Sequence, residues 1–324
     1  MNTRYFCTLF NSGYLLKGIA MIRSLKHFCP AIKVYVLCMD EQTKSILERL
    51  NLPFVICITL VEVENKELLK AKAGRGVAEY CWTLSSCFTW YVIQNNPEID
   101  FLTYLDADLL FYSDVQPLFD EIGGASIAII EHRFTERLKD REINGRFCVE
   151  WVSFRRDDQG LACLSRWRDQ CIEWCYNRIE DGKMGDQKYL DEWPNRYSFC
   201  HIIMHPGAGI APWNYAQYHF GKDINGNLTV EGSSLIFYHF HQFQLLDNGK
   251  FDRLSGFYTS ECTEPNDIYN IYEEILKNIH KDVLAVAPNF SAGLQRAQGV
   301  FLRRLIQKYI PTTIKNYVRK FIHT

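Results

Sequence analysis

The sequence predicts an α/β protein: a central, mostly parallel sheet flanked by helices, followed by a basic amphipathic helical tail. Three observations lead there. Strand-like and helix-like stretches alternate through the first two-thirds of the 324 residues, the order that builds a parallel sheet with helices on both faces. Apolar residues make up 47% and charged residues 23%, a globular balance that excludes disordered, collagen-like and low-complexity classes. The end of the chain has a different charge. From Val283 to Thr324 there is no Asp or Glu, but Arg296, Arg303, Arg304, Lys308, Lys315, Arg319 and Lys320 are present. The composition therefore divides the chain into a body, 1–282, and a tail, 283–324. The net charge of −2 gives no case for nucleic-acid binding.

The elements follow in order. Tyr5–Phe10 reads as a strand, and Leu15, Leu16, Ile19, Ile22 and Leu25 repeat at helical spacing. Val34–Met39 reads as a second strand, followed by a helix with Ile46, Leu47 and Leu50 on one face, then a third strand over Phe54–Val61. Glu79–Gln94 is the next helix, stopped by Asn95-Asn96-Pro97. Phe101–Leu105, Ser126–Ile130 and Cys148–Phe154 read as strands, Asp157–Asn177 as an amphipathic helix, His201–Met204 and Leu235–Phe240 as late strands, and Asp267–His280 as a helix.

In the tail, Phe301, Leu302, Leu305, Ile306 and Tyr309 share one helical face beside Arg303, Arg304 and Lys308. After Pro311, the residues Ile314, Tyr317, Val318, Phe321 and Ile322 form a second such face. Basic amphipathic helices of this kind suit an anionic membrane surface, or they pack on the body or on a second subunit. Apolar runs fall short of the ~18 residues of a membrane span. The start, MNTRYFCTLFNSG, lacks the pattern of a signal peptide. The twelve Cys lie scattered in apolar stretches, as buried thiols do. These features predict a cytoplasmic protein, peripheral on the cytoplasmic face of a membrane, in which the sequons at Asn227 and Asn289 are chance matches.

The sharpest chemical feature is FLTYLDADLLFYSDV, a buried strand ending in Asp106 and Asp108. Residues two apart in extended backbone face the same way, and two carboxylates at the carboxyl end of a sheet strand suit a hard cation such as Mg²⁺ or Mn²⁺. His239 and His241, near the end of a late strand, offer imidazole ligands beside them. Asp186 and Gln187 follow a glycine-marked loop. Asp186 there either caps a helix or projects into a cleft as an acid/base or electrostatic group. HPGAGIAPWNYAQY joins small residues to Trp213 and Asn214, where glycines allow close approach to a ligand and an aromatic stacks on a sugar. Gly207-Ala208-Gly209 and Gly74-Arg75-Gly76 lack the setting of a dinucleotide fingerprint, and His201 with His205 lacks the Glu of a zincin.

Taken together, TLFNSGY, the Cys-Trp-Thr-Leu helix, YLDADLLFYSD, VEWVSF, GDQKYL, GAGIAPWN and the late histidine strand resemble the GT-A-fold glycosyltransferases. The resemblance is strongest to family 8-like and nucleotide-diphospho-sugar transferases, and it covers residues 4–245. It implies a Rossmann-like GT-A domain that holds a nucleotide-diphosphate sugar through Mn²⁺ or Mg²⁺ and passes the sugar to a glycan acceptor, membrane- or lipid-linked. It assigns Asp106, Asp108 and His239 to the metal, with His241 as the alternative. Thr8, Asn11 and Tyr14 fall at the base and ribose, Ala107 at the donor, and Asp186 and Gln187 beside the transferred sugar. Two departures follow. His239 is followed by Phe-His-Gln-Phe rather than Gly and Lys-Pro-Trp, which leaves the diphosphate's cation unassigned, with Arg75 a candidate. Cys148-Val149-Glu150-Trp151 stands where many relatives carry Asn, which makes Glu150 a candidate sugar contact. The resemblance favours retention of anomeric configuration. Competing readings are a phosphotransferase of the haloacid-dehalogenase type, with an Asp nucleophile, and a non-catalytic sugar-nucleotide-binding protein.

Overall fold

The computed structural model describes residues 3–253 and 264–299. Eight strands appear first: β1 (Arg4–Phe10), β2 (Ile32–Cys38), β3 (Val55–Thr59), β4 (Phe101–Leu105), β5 (Leu109–Phe111), β6 (Ile127–Glu131), β7 (Phe147–Arg155) and β8 (Cys200–Ile203). All but β5 form one seven-stranded sheet in the order β3-β2-β1-β4-β7-β6-β8. β1 pairs in parallel with β2 and β4, β2 with β3, and β6 with β8. The expected mostly parallel sheet has one reversed member, since β7 runs antiparallel to both β4 and β6. The reversal brings the start of β7 to the edge where its neighbours end.

Alternation along the strands fills two cores. Phe6 and Phe10 of β1 and Val34 and Val36 of β2 enter one, while Cys7, Leu9, Tyr35 and Leu37 enter the other. The first core is covered by α1 (Leu15–Phe28), α2 (Glu41–Leu50) and, later in the chain, α9 (Asn266–Val286). The second is covered by α5 (Val77–Asn95) and α7 (Asp158–Glu173). Each Leu, Ile or Phe so buried contributes about 1.5–3 kcal/mol.

The third strand is shorter than its apolar run. Thr59 caps α3 (Leu60–Val63) through a capping box with Glu62, and Asn65 caps α4 (Lys66–Ala73). The capping bonds turn the chain before Val61 can extend the ladder. Two short helices complete this part, α6 (Gln116–Ile122) and α8 (Trp193–Arg196).

Beyond β8, a small sheet of β9 (Phe220–Lys222), β10 (Leu228–Val230) and β11 (Ser233–Ser234) leads into β12 (Phe237–His239), which pairs antiparallel with β5. β13 (Gln244–Leu246) is flanked by β14 (Phe251–Asp252) and by β15 (Leu294–Gln295). The charge break at Val283 therefore falls inside α9, and the chain stays on the body at least as far as β15. The two amphipathic faces read in the tail, over 301–324, lie outside the described residues.

Candidate functional site

The site is built where the sheet ends. β4 stops at Leu105, and Asp106, Ala107 and Asp108 make the turn into β5. The backbone N–H of Asp106 donates to the Glu150 carbonyl of β7 at 3.2 Å, and the N–H of Phe240 donates to the Asp108 carbonyl at 2.8 Å. Pairing of β5 with β12 sets His239 opposite Leu109, directly beside the carboxylate turn. Two segments more than 120 residues apart thus converge because one antiparallel bridge joins them.

His239 is buried at the centre of this cluster. Its Nε2 lies 3.0 Å from Asp108 Oδ1 and its Nδ1 lies 2.6 Å from Glu150 Oε2. Burial alone pushes the imidazole's pKa down, but Asp108 and Glu150 hold it well above the ordinary histidine range. Asp108 shows the reciprocal effect. Burial pushes its carboxyl up, and His239, with Lys17 behind it, outweighs that and holds it below the ordinary range. Asp106 has weaker cationic company and more acidic company, so burial and the nearby Asp108, Asp186 and Glu150 carboxyls push it up to about 7 despite His239. Burial and the His239 charge lower His241 to about 4.

The donor set fits a hard divalent cation. Ligand atoms of Asp108, His239 and His241 lie within 4.8 Å of one another, as do those of Asp106, Cys148 and His239. Four acids, Asp106, Asp108, Glu150 and Asp186, crowd the region, and Glu150 Oε1 is buried without a hydrogen-bond partner. Carboxylates with imidazole are the ligands Mn²⁺ accepts. The Nδ1–Glu150 bond is the outer contact that commonly orients a metal-binding imidazole.

Asp186 lies on the second core's side. It is 6% exposed and, at the N-cap position of the 3-10 turn that follows, makes no side-chain capping bond. Ser85 of α5 donates to its carboxyl at 2.6 Å, and Trp167 Nε1 of α7 donates to its carbonyl at 3.0 Å. Burial pushes the Asp186 carboxyl up to about 6, against the Ser85 bond. Gln187 Nε2 donates to the Asn144 carbonyl at 3.0 Å, and Gly145, at a φ of +134°, leaves room for it.

No family model matches the chain. The uncharacterized protein YfnF of Bacillus subtilis (strain 168) is 33% identical over 296 residues, covering 89% of this chain and 97% of YfnF. YfnD of the same strain is 31% identical over 296 residues, covering 90% and 95%. The chain belongs to the YfnF/YfnD family. Among solved structures it is similar to the galactosyltransferase LgtC, solved with donor and acceptor sugar analogues, at 15% identity and a TM-score of 0.50 over 86% of this chain and 95% of LgtC. It is similar also to the glycosyltransferase GlyE of Streptococcus pneumoniae TIGR4, at 14% identity and a TM-score of 0.51 over 87% of this chain, though the chain spans only 64% of GlyE. This YfnF/YfnD family member has the GT-A fold.

The fold distributes the remaining sequence-predicted residues unevenly. Thr8, at the carboxyl end of β1, is buried with Oγ1 unpartnered among the described residues. Asn11 and Tyr14 frame the following turn, whose Ser12 N–H donates to Asp40 at 2.8 Å, and the Tyr14 ring is 43% exposed. Ala107 is buried within the carboxylate turn.

Four of the expected contact residues have partners within the protein. Glu150 is fully buried and serves His239, so it is not positioned as a sugar contact. Asn214 is also fully buried. Its Oδ1 accepts from Ala211 and its Nδ2 donates to the carbonyls of His132 and Gly209, at 2.7–2.9 Å, so it locks the loop. Trp213 packs edge-on against His132, His239 and His241 with centroids 5.1–5.5 Å apart, and walls the histidines rather than stacking on a sugar. Arg75 donates to Thr83 and, at 2.7 Å, to the Ile172 carbonyl, a bracket between α5 and α7.

The glycines of the 207–209 loop meet protein rather than ligand. A Cβ at Gly207 would lie 1.9 Å from the Ser234 carbonyl, and Gly209, at a φ of +68°, sits against Ile130, Arg133 and Glu150. Sequence reasoning missed Lys17, Ser85 and Arg133. The available signal for Lys17 was a lysine in the first turn of an otherwise apolar helix. Arg133, whose guanidinium holds the Ala208 carbonyl, and Ser85 carried no signal in the sequence.

Proposed function

We propose that the chain is a nucleotide-sugar-dependent glycosyltransferase, hexosyltransferase-like, that moves a sugar from a nucleotide-diphosphate donor to a glycan hydroxyl. The observation that carries this reading is Asp106-Ala107-Asp108 meeting His239 at the carboxyl edge of a GT-A sheet. The printed descriptions of LgtC and GlyE as glycosyltransferases, and of LgtC with donor and acceptor sugar analogues, support it.

Asp106, Asp108 and His239 would hold Mn²⁺ or Mg²⁺, with His241 the alternative imidazole. Such an ion, when bound, neutralises charge on a departing diphosphate. The protein's own residues do the rest. Glu150 fixes the His239 ring. Thr8, Asn11 and Tyr14 contact the base and ribose. Trp213 keeps water from the histidines, where a lower local dielectric strengthens each charge. Asp186, with Gln187 beside it, stabilises positive charge on the sugar carbon in a retaining transfer, or takes the acceptor's proton in an inverting one. The tail docks the enzyme on the anionic cytoplasmic face of a membrane, which suits a lipid-linked acceptor; no described helix is long and apolar enough to cross one.

Release of nucleoside diphosphate from a panel of nucleotide sugars tests this. The reading predicts Mn²⁺-dependent release from at least one donor, abolished by EDTA. Binding without release across donors and glycan acceptors would instead favour a non-catalytic sugar-nucleotide-binding protein. A trapped phosphoaspartate at Asp106 would favour the phosphotransferase.

A further inference from the structure

α1 begins beside the carboxylate turn. Its first turn, Leu15-Leu16-Lys17, contains no acidic residue and no side-chain cap, and it continues a 3-10 turn over Ser12–Tyr14 whose first N–H is held by Asp40. Lys17 is 6% exposed. Its Nζ lies 4.0 Å from Asp108 Oδ2, beyond hydrogen-bond distance, and 4.5 Å from the centroid of the Tyr14 ring. Among the described residues no acceptor lies within hydrogen-bond reach of this ammonium. Asp108 itself is already engaged at 3.0 Å by His239. At that distance Asp108 compensates the desolvated ammonium only in part.

We propose that Lys17, on the first turn of α1, is the cation that clamps the donor's diphosphate, so that this chain supplies the phosphate-binding cation ahead of its carboxylate pair rather than after His239. The inference rests on the nucleotide-sugar reading. The geometry gives it two parts: a point charge held by an aromatic face, and a neighbouring acid cluster to hold the metal. No lysine follows His239 before Lys250, and Arg75 is committed between α5 and α7.

The test is calorimetric binding of uridine, guanosine, adenosine, cytidine and thymidine diphosphates, each with its monophosphate, in Mn²⁺. Wild type is compared with Lys17→Met, and with Lys17→Gln should the Met variant fold poorly, with thermal melts as the check on folding. The folded variant should bind the preferred diphosphate about 10- to 100-fold more weakly and the monophosphate with a smaller loss. It should bind Mn²⁺ alone as tightly as wild type or tighter, because a cation near Asp108 is gone. Unchanged diphosphate affinity in a folded variant overturns the clamp. So does a loss of Mn²⁺ affinity that accounts for the whole diphosphate effect, since Lys17 would then only order Asp108. A wild type that binds none of the nucleotides overturns the nucleotide-sugar reading, and the clamp with it.

Discussion

The seven-stranded sheet has a charged recess at each end, and the two are built differently. At the end where β1 and β4 begin, a cavity of about 310 Å³ is lined by Arg4, Asp100, Phe101, Phe119 and Arg155, among others. Arg155 donates to the carbonyls of Ala125 and Gly123 at 3.0 and 2.8 Å. Arg4 reaches Gln116 and lies 4.2 Å over the Phe119 ring. Those cations are satisfied by the protein. At the opposite end, Asp106, Asp108, Glu150 and Asp186 share His239 and Lys17. Glu150 Oε1 and Thr8 Oγ1 are left without partners among the described residues, and carboxyls stand far from their ordinary pKa values. What distinguishes the two ends is under-satisfied buried charge, which is stable only if a ligand completes it.

The strongest way to break the comparison is to empty the acidic end. Replacing Asp106 and Asp108 together by Ala should weaken Mn²⁺-dependent nucleotide binding more than about 100-fold, while circular dichroism shows an intact fold. EDTA should do the same to wild type. Asp186→Asn comes next. Turnover should fall about 100-fold with donor affinity changed only a few-fold, because the charge it answers develops in the transition state.

That variant also carries a pH signature. The Asp186 carboxyl is raised by burial from 3.8 to about 6, so the native state holds a proton that the unfolded chain has lost. Its contribution to stability is present below about pH 4 and disappears as pH rises through about 6. The melting temperature of Asp186→Asn relative to wild type should therefore climb between about pH 4 and pH 7. A flat difference would show that Asp186 is not raised.

Two smaller effects sharpen the contrast. Asn214→Ala removes a fully bonded buried amide and should cost about 2–4 kcal/mol in denaturant unfolding, showing that the 207–214 loop is scaffold. Arg155→Ala at the satisfied end should cost about 1–2 kcal/mol through lost bonds and packing and leave nucleotide affinity unchanged. A change in affinity there would erase the distinction between the two ends.

Much of this was legible in the chain. FLTYL followed by DAD marked both a central strand and the acids at its end, because an apolar run that meets two carboxylates has few other uses. The His239 strand gave a weaker signal, informative only beside the Asp pair. Strand direction was not legible. β7 alternates like its neighbours, and a period of two carries no sign of which way a strand runs, so the reversal that brings Glu150 to the site was invisible. Glu150 is conspicuous in an apolar strand, but its His239 partner lies 89 positions away, beyond the reach of local pattern. The turn at Thr59 could have been read from its capping box with Glu62, but Val61 extended the apolar run past it. Asn214 and Trp213 looked like ligand residues because loop-locking amides and site-lining aromatics share their composition with binding loops. Hydrogen bonds place Asn214 in the loop lock, and ring contacts place Trp213 against the histidines.

Mn²⁺ binding followed by electron paramagnetic resonance tests the central claim most directly. In wild type, free Mn²⁺ signal should fall with one ion taken up per chain, and a nucleoside diphosphate should tighten that uptake. Asp108→Asn should return the signal to its free amplitude. Undiminished Mn²⁺ uptake in a folded Asp108→Asn variant, or no uptake by wild type with any nucleoside diphosphate present, would contradict the account.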